Sequence, residues 1–433
     1  MTAPASLGRV RRPLRPAILM GGGLLVLGAA GYGFVALAGH TLSPADAAPV
    51  DSFYLLINII GPGVFAALEQ ETNRAVSARL AAGGDVRPVG RNATKIGIGL
   101  LVAVVVVLAA VGPVLVPTAL GGQWALFVAL LLGTATAAMI YLARGLLGGQ
   151  RRFGGYAATL AVEGLARLLP CVIVALSGGA TAGGYALLFA AGSALGAAAG
   201  LPALRTRPAP VTSTTAGPAV ESTAGMARAT AVLAGSTLLA QLVANLAPVV
   251  VAARLGTNAD ANTATAATFA SAFVLVRIPL FVFAPVQAML LPRLTAAATR
   301  RDRTAVRNDI RRVLLAVGAV GAAGALASLL IGPWAVRVLF GAHVALSGSI
   351  LGALGLGTLA LMAAQVLQPG LVALDRHRSA TVSWLLGSAL LTGGLFLPGD
   401  PVHTAVLAQV AGSGLVAVGM GLALVGALRE QPR

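Results

Sequence analysis

The chain has 433 residues, 57% of them hydrophobic and only 10% charged, with a formal net charge of +17. Soluble domains carry roughly 25% charged residues, and a water-soluble fold of this length could not cover so much apolar side chain with polar surface. That excludes an ordinary soluble protein. The charge does not indicate nucleic acid, which calls for a basic face on a soluble domain; here arginines, with Lys95 the one lysine, punctuate apolar runs.

A bilayer core takes about 20 apolar residues of helix. Taken in chain order, the segments that meet this are Ala17–Gly39, Ser52–Leu68, Ile96–Leu120, Trp124–Ala143, Gly155–Leu176 and Ala182–Leu201. After a break come Ala229–Val251, Thr265–Leu291, Val313–Trp334, Ile350–Gln368, Ala380–Leu397 and Thr404–Leu428. The first is led by Arg9, Arg11, Arg12 and Arg15, like a signal peptide. Its apolar stretch is too long for a typical leader and ends in no clear cleavage site, so it reads as a retained helix. The expected fold is all-α and polytopic, with about twelve transmembrane helices.

Charge placement gives an orientation. With the N-terminus inside, 26 of the 30 Lys and Arg fall in inside segments, only Arg254 and Arg337 fall outside, and Arg167 and Arg277 lie within spans. Basic loops stay in the cytoplasm, so both termini are expected there, in a cytoplasmic membrane. The break, 205–228, is rich in Pro, Ser, Thr and Gly and has the composition of a flexible linker. It separates a six-helix bundle over 1–204 from another over 229–433. Six is even, so the halves enter the membrane in the same sense, as parallel repeats, around a central cavity. Local echoes agree: Gly145-Leu-Leu-Gly-Gly-Gln-Arg151 against Gly370-Leu-Val-Ala-Leu-Asp-Arg376, and Val64-Phe65-Ala66 with Glu69 against Val282-Phe283-Ala284 with Gln287.

No P-loop, zinc-helix motif, nucleophile elbow or Cys/His cluster is present, and Cys171 alone can form neither an intrachain disulfide nor a thiolate metal site. No enzyme, cofactor or metal is expected. Asp46, Asp51, Asp260, Asp400, His40, His343 and His403 read as interfacial residues ending helices. The informative residues are polar groups within spans, where an ionisable group is costly and normally faces a bundle interior or watery cavity. Arg277 is the sharpest of them, and two readings stand for it: a cavity-lining ligand or a buried ion pair, with Glu163 as a conceivable partner. Glu163 and Arg167, one turn apart, read as a self-neutralised pair or an ion-coupling site. Gln241 and Asn245 share a face and read as helix glue or ligand contacts. Asn58 precedes Gly61-Pro62-Gly63, where the helix is expected to kink or unwind. Arg300, Arg301, Arg303, Arg307, Arg311 and Arg312 read as an anchor to anionic lipid headgroups.

The six-plus-six arrangement resembles the multidrug/oligosaccharidyl-lipid/polysaccharide (MOP) exporter superfamily. So do Phe65-Ala-Ala-Leu-Glu69-Gln-Glu71-Thr-Asn-Arg74 and Arg144-Gly-Leu-Leu-Gly-Gly-Gln-Arg151-Arg-Phe-Gly-Gly-Tyr156 with Glu163-Gly164 and Arg167. Within it the likeness is to polysaccharide biosynthesis proteins of the O-antigen flippase type. That resemblance implies alternating access and a cationic cavity for the pyrophosphate of a polyprenyl-linked oligosaccharide, with Arg277, Arg74 and Arg144 the positions available for it. Glycosyltransferases or a polymerase would be its partners. Peptidoglycan-precursor flippases have two further helices, and cation-coupled drug exporters usually carry an acid in the first span, where Ala17–Gly39 has none. A drug or metabolite antiporter using Glu163 and a non-transporting scaffold remain as alternatives.

Overall fold

The computed structural model describes residues 14–205, 222–256, 259–280, 302–342 and 344–429, together with Leu290, Leu294 and Arg300, and the side chains from Leu19 onward. The echo at Val282–Gln287, Arg301, His343 and residues 206–221 of the expected linker lie outside the described residues.

Among the described residues twelve helices follow one another. In the first half they are α1 (Leu14–Thr41), α2 (Pro44–Ala81), α3 (Arg87–Ala119), α4 (Trp124–Gly149), α5 (Phe153–Leu176) and α6 (Ala182–Arg205). The second half holds α7 (Thr223–Leu255), α8 (Asp260–Leu275), α9 (Arg303–Phe340), α10 (Gly348–Ala373), α11 (His377–Leu395) and α12 (Pro401–Arg429). Among the described residues there is no strand. Eleven of these helices are long and apolar enough to cross a bilayer, and the chain is a multi-pass membrane protein. The exception is α11, which opens on His377-Arg378 and carries Ser383, Trp384 and Ser388 over only 19 residues. It is nonetheless packed along α12.

Several helices outrun the apolar pattern. α9 has 38 residues, about 57 Å at 1.5 Å per residue, against a hydrocarbon core of about 30 Å. Its first turns carry the arginines that the pattern left in a loop. α7 begins at Thr223, within the segment read as linker, because the Ser222 side chain accepts from Gly225 N at 3.1 Å and caps the helix. α2 starts at Pro44, capped by Ser43, eight residues before the apolar run. Asp51 is therefore not a helix-ending loop residue but lies inside α2, 3% exposed. The Gly61-Pro62-Gly63 break takes the form of a π-helical turn, Gly61–Phe65, within α2.

The packing repeats with a period of six helices. α3 packs on α4 as α9 does on α10, and α4 on α6 as α10 does on α12; α5 on α6 matches α11 on α12, and α1 on α5 matches α7 on α11. The halves meet chiefly through α2, which lies against both α7 and α8. Leu55, Ala119, Val249 and Ala270 form an apolar cluster joining α2, α3, α7 and α8. At one end of the molecule the two bundles touch backbone to backbone. A Cβ at Gly39 of α1 would run into the Phe340 carbonyl oxygen, and Gly341, left-handed at φ 64°, turns the chain off α9 beside it.

Candidate functional site

A cavity of about 180 Å³ opens between α1, α2, α4 and α5, lined among others by Tyr54, Asn58, Pro62, Tyr141, Arg144, Glu163 and Arg167. The π-turn forms part of its wall. Pro62 has no N–H to give to the Asn58 carbonyl four residues back, and Asn58 turns its own amide to the Tyr54 carbonyl at 2.8 Å. From the other bundle, Thr237 of α7 donates to the Gly63 carbonyl at 2.6 Å.

The cavity's charged wall is a triad. Glu163 Oε2 accepts from Arg144 Nη2 at 2.5 Å, and Oε1 accepts from Arg167 Nη2 and Ser193 Oγ, each at 2.7 Å. Arg144 also donates through Nε to Thr159 Oγ1 at 3.1 Å, and the Arg167 guanidinium stacks 4.5 Å from the Phe189 ring centre. The side chains of Arg144 and Glu163 are 4% and 3% exposed. Sequence spacing alone supplies the Glu163–Arg167 contact. Arg144 reaches it because α4 and α5 pack, and Ser193 because α6 approaches α5 across small residues. A Cβ at Gly192 would sit 2.5 Å from Arg167 Cγ and 2.9 Å from its backbone nitrogen, and one at Gly196 2.8 Å from Glu163 Cβ.

The second polar group is in the other half. Arg277 Nη1 donates to Asn245 Oδ1 at 3.1 Å, and Asn245 Nδ2 donates to Gln241 Oε1 at 2.9 Å. Arg277 is 8% exposed, its guanidinium lies 3.9 Å from the Phe273 ring centre, and its Nε has no hydrogen-bond partner. Tyr32 and the cavity-lining Tyr54 lie within its electrostatic reach. Among the described residues no carboxylate pairs with Arg277. Both oxygens of Glu163 are engaged by Arg144, Arg167 and Ser193, so the Arg277–Glu163 pair is not formed in this structure.

Of the residues singled out in the sequence, the structure thus groups Arg144, Glu163 and Arg167, and separately Gln241, Asn245 and Arg277. Arg74 belongs to neither group: its side chain is 54% exposed and pairs with the buried Glu71 on the same helix at 2.5 Å. The two segments that carry the family resemblance touch each other. Tyr156 Oη donates to Glu69 Oε1 at 2.5 Å, and Gly145 and Gly149 pack on the Glu69, Thr72 and Val76 turns of α2. Tyr54, Tyr141 and Ser193 were not foreseen; the signals for them were Tyr141 three residues before Arg144 and the Gly192–Gly196 spacing around Ser193. Arg303, Arg307 and Arg311 join neither group and line a separate groove with Arg429.

No family model matches the sequence. Uncharacterised proteins of Mycobacterium tuberculosis and Mycobacterium bovis are 31% identical to it over 162 residues, which is 36% of this chain and 35% of each relative. The chain thus spans about a third of the length of the curated relatives it matches. Among solved structures, the inward-facing conformation of a multidrug resistance MATE family transporter of the MOP superfamily superposes with a TM-score of 0.71 at 15% identity, covering 96% of this chain and 100% of that one. An outward-facing conformation of such a transporter gives 0.61 at 14%, over 97% of both chains. A MOP superfamily transporter from Pyrococcus furiosus, described by a binding pocket of reverse polarity, gives 0.58 at 14%, again over 97% of both. The chain has the fold of MATE transporters of the MOP superfamily.

Proposed function

We propose that the protein is an alternating-access transporter whose substrate carries a phosphate or diphosphate, as in a polyprenyl-linked oligosaccharide or related polysaccharide intermediate. The observation that supports this reading is Arg277, buried in the turn after α8 and answered by an amide and an aromatic ring rather than a carboxylate. A buried guanidinium with no carboxylate partner is costly inside a membrane protein, and its planar fork of donors suits a diphosphate. The triad adds two guanidiniums against one carboxylate, leaving the triad itself net positive. A cavity of about 180 Å³ falls below the ~300–1,000 Å³ of ordinary ligand pockets. It would take a headgroup portion, with the rest of the substrate between the bundles and in the bilayer. A scaffold would call for a collapsed apolar centre, which this is not.

A second reading, an ion-coupled drug or metabolite antiporter, is favoured by the multidrug transporters among the solved neighbours. In it Glu163 would have to release a guanidinium to take a proton or sodium ion.

Substitution of Arg277 by Lys, Gln and Ala separates the readings, with membrane abundance and transport measured on each. Phosphate recognition predicts normal abundance with lost flipping of a fluorescent polyprenyl-diphosphate analogue, least severe in Lys. An Arg277→Ala variant that flips the analogue at the full rate sinks the proposal. Unimpaired efflux of a cationic dye by the same variant, abolished by Glu163→Gln, would install the antiporter instead. The reading also places both termini in the cytoplasm. In an otherwise cysteine-free chain, cysteines at Ser213 and Asp400 should label from opposite sides.

A further inference from the structure

Away from the centre, a groove of about 690 Å³ runs between the start of α9, the end of α10 and the end of α12. Arg303, Arg307 and Arg311 recur at four-residue spacing and so lie along one face of α9, and Arg429 comes from the last turn of α12. The floor is apolar, formed by Ile310, Leu314, Leu367 and Leu424, and among the described residues no acidic side chain lines it. The nearby Asp302 is committed to the helix end, accepting from Ala305 N at 2.8 Å.

We infer that this groove binds one anionic diacyl phospholipid, its phosphate on the arginine rim and an acyl chain along the leucine floor. Two features of the groove select a lipid over a soluble anion. A phosphate site alone needs no apolar trough, yet this one continues past the rim onto the outer surface of the bundle. Leu315 and Val425, which line it, are 64% and 46% exposed, as residues facing acyl chains should be. The rim sits at the start of α9 and the end of α12, and arginine's fork pairs with phosphate oxygens in two-point fashion. The lipid would bridge α9 to α12, tying the start of the one and the end of the other to one leaflet.

Gly421 makes the proposal easy to test. It lines the groove, and a Cβ there would meet nothing nearer than Leu367 Cδ1 at 4.0 Å, so Gly421→Phe fills the trough without forcing the helices apart. The full chain, purified in a neutral detergent, is heated alone and with phosphatidylglycerol, with phosphatidylcholine of the same acyl chains, or with glycerol 3-phosphate. Retained lipid is counted by native mass spectrometry. The expected result is a thermal shift of several degrees and a single retained lipid with phosphatidylglycerol only. Gly421→Phe and the double variant Arg307→Gln/Arg311→Gln should lose both while unfolding, lipid-free, at the wild-type temperature. Arg307 and Arg311 are exposed, so the double variant decides the matter if Gly421→Phe fails to accumulate. The proposal is overturned if phosphatidylcholine or glycerol 3-phosphate shifts the protein equally, or if the double variant keeps the full response to phosphatidylglycerol.

Discussion

Arg277, in the turn that follows α8, is held by Asn245 on α7, Nη1 to Oδ1 at 3.1 Å, and Asn245 is in turn held by Gln241 one turn earlier. A buried cation is thus positioned by neutral amides, an arrangement that orients the guanidinium without cancelling its charge. Its Nε is buried and, among the described residues, without a hydrogen-bond partner.

This arrangement predicts opposite effects for the two partners. Asn245→Leu leaves a buried donor of Arg277 unsatisfied, which costs ~1–3 kcal/mol, and should lower the unfolding temperature of the purified protein. Arg277→Leu removes a charge whose burial is itself unfavourable, and should leave stability unchanged or raised. The double variant should recover what Asn245→Leu loses. Additive losses in the three variants would mean the pair is not coupled.

Much of this fold is legible in the sequence, because a long apolar run marks a helix wherever it falls, and eleven of the described helices are long and apolar enough to cross a bilayer. Helix ends are not legible. Hydrogen bonding carries α2, α3 and α9 beyond the apolar runs, so Asp51 and Arg303–Arg312 read as loop residues although they belong to helices. The site divides in the same way. Glu163 with Arg167, and Gln241 with Asn245, are one helical turn apart and announce themselves by spacing. The addition of Arg144 to the first pair and of Arg277 to the second depends on which helices pack, and no local pattern records that.

Small residues on α6 set the depth of the triad. Gly192→Leu or Gly196→Leu would press a side chain into the backbone of Arg167 or onto Glu163 and Thr159. Overpacking of this kind costs ~1–3 kcal/mol, and transport should fall with it. Gly235→Ala on α7 is the control. Nothing lies within 4 Å of a Cβ there, and the exchange should be neutral or stabilising by ~0.5–1 kcal/mol. Thermal unfolding of the three proteins checks the contrast, and equal losses would contradict the packing.

The start of α12 should respond to acid. Asp400 accepts from the His403 backbone nitrogen at 2.8 Å and from its ring Nδ1 at 2.8 Å. The backbone hydrogen bond is the main reason its carboxyl titrates below the ordinary aspartate value. A lowered value means that the cap's contribution is complete above the unfolded-chain value of about 3.9 and disappears as the pH falls through the folded one. Asp400→Ala should abolish that acid-side loss and cost ~0.5–2 kcal/mol at neutral pH, whereas Asp400→Asn keeps the acceptor and should cost little. Unfolding temperatures between pH 7 and pH 3 test both points.

The triad yields the most demanding prediction, an order of severity. Glu163 is the shared counter-charge of two guanidiniums, one of them 4% and the other 16% exposed at the side chain. Glu163→Gln keeps the shape but leaves both cations without an anion, and breaking a buried pair by removing one partner costs ~3–5 kcal/mol. Arg144→Gln leaves Glu163 paired with Arg167 and hydrogen-bonded to Ser193, so it should cost less. Arg167→Gln should cost least, since its side chain is the more exposed and Arg144 continues to hold the carboxylate. Replacing all three residues by leucine removes the whole network and should recover most of the stability lost in Glu163→Gln, because buried ion networks exchange for apolar packing at little net cost. Transport separates structure from role: if the triple-leucine protein accumulates normally but moves no substrate, the triad acts on the substrate or its coupling. Full transport by that protein would reduce the triad to a structural device, and wild-type stability of Glu163→Gln would show that the three charges are not a closed network at all.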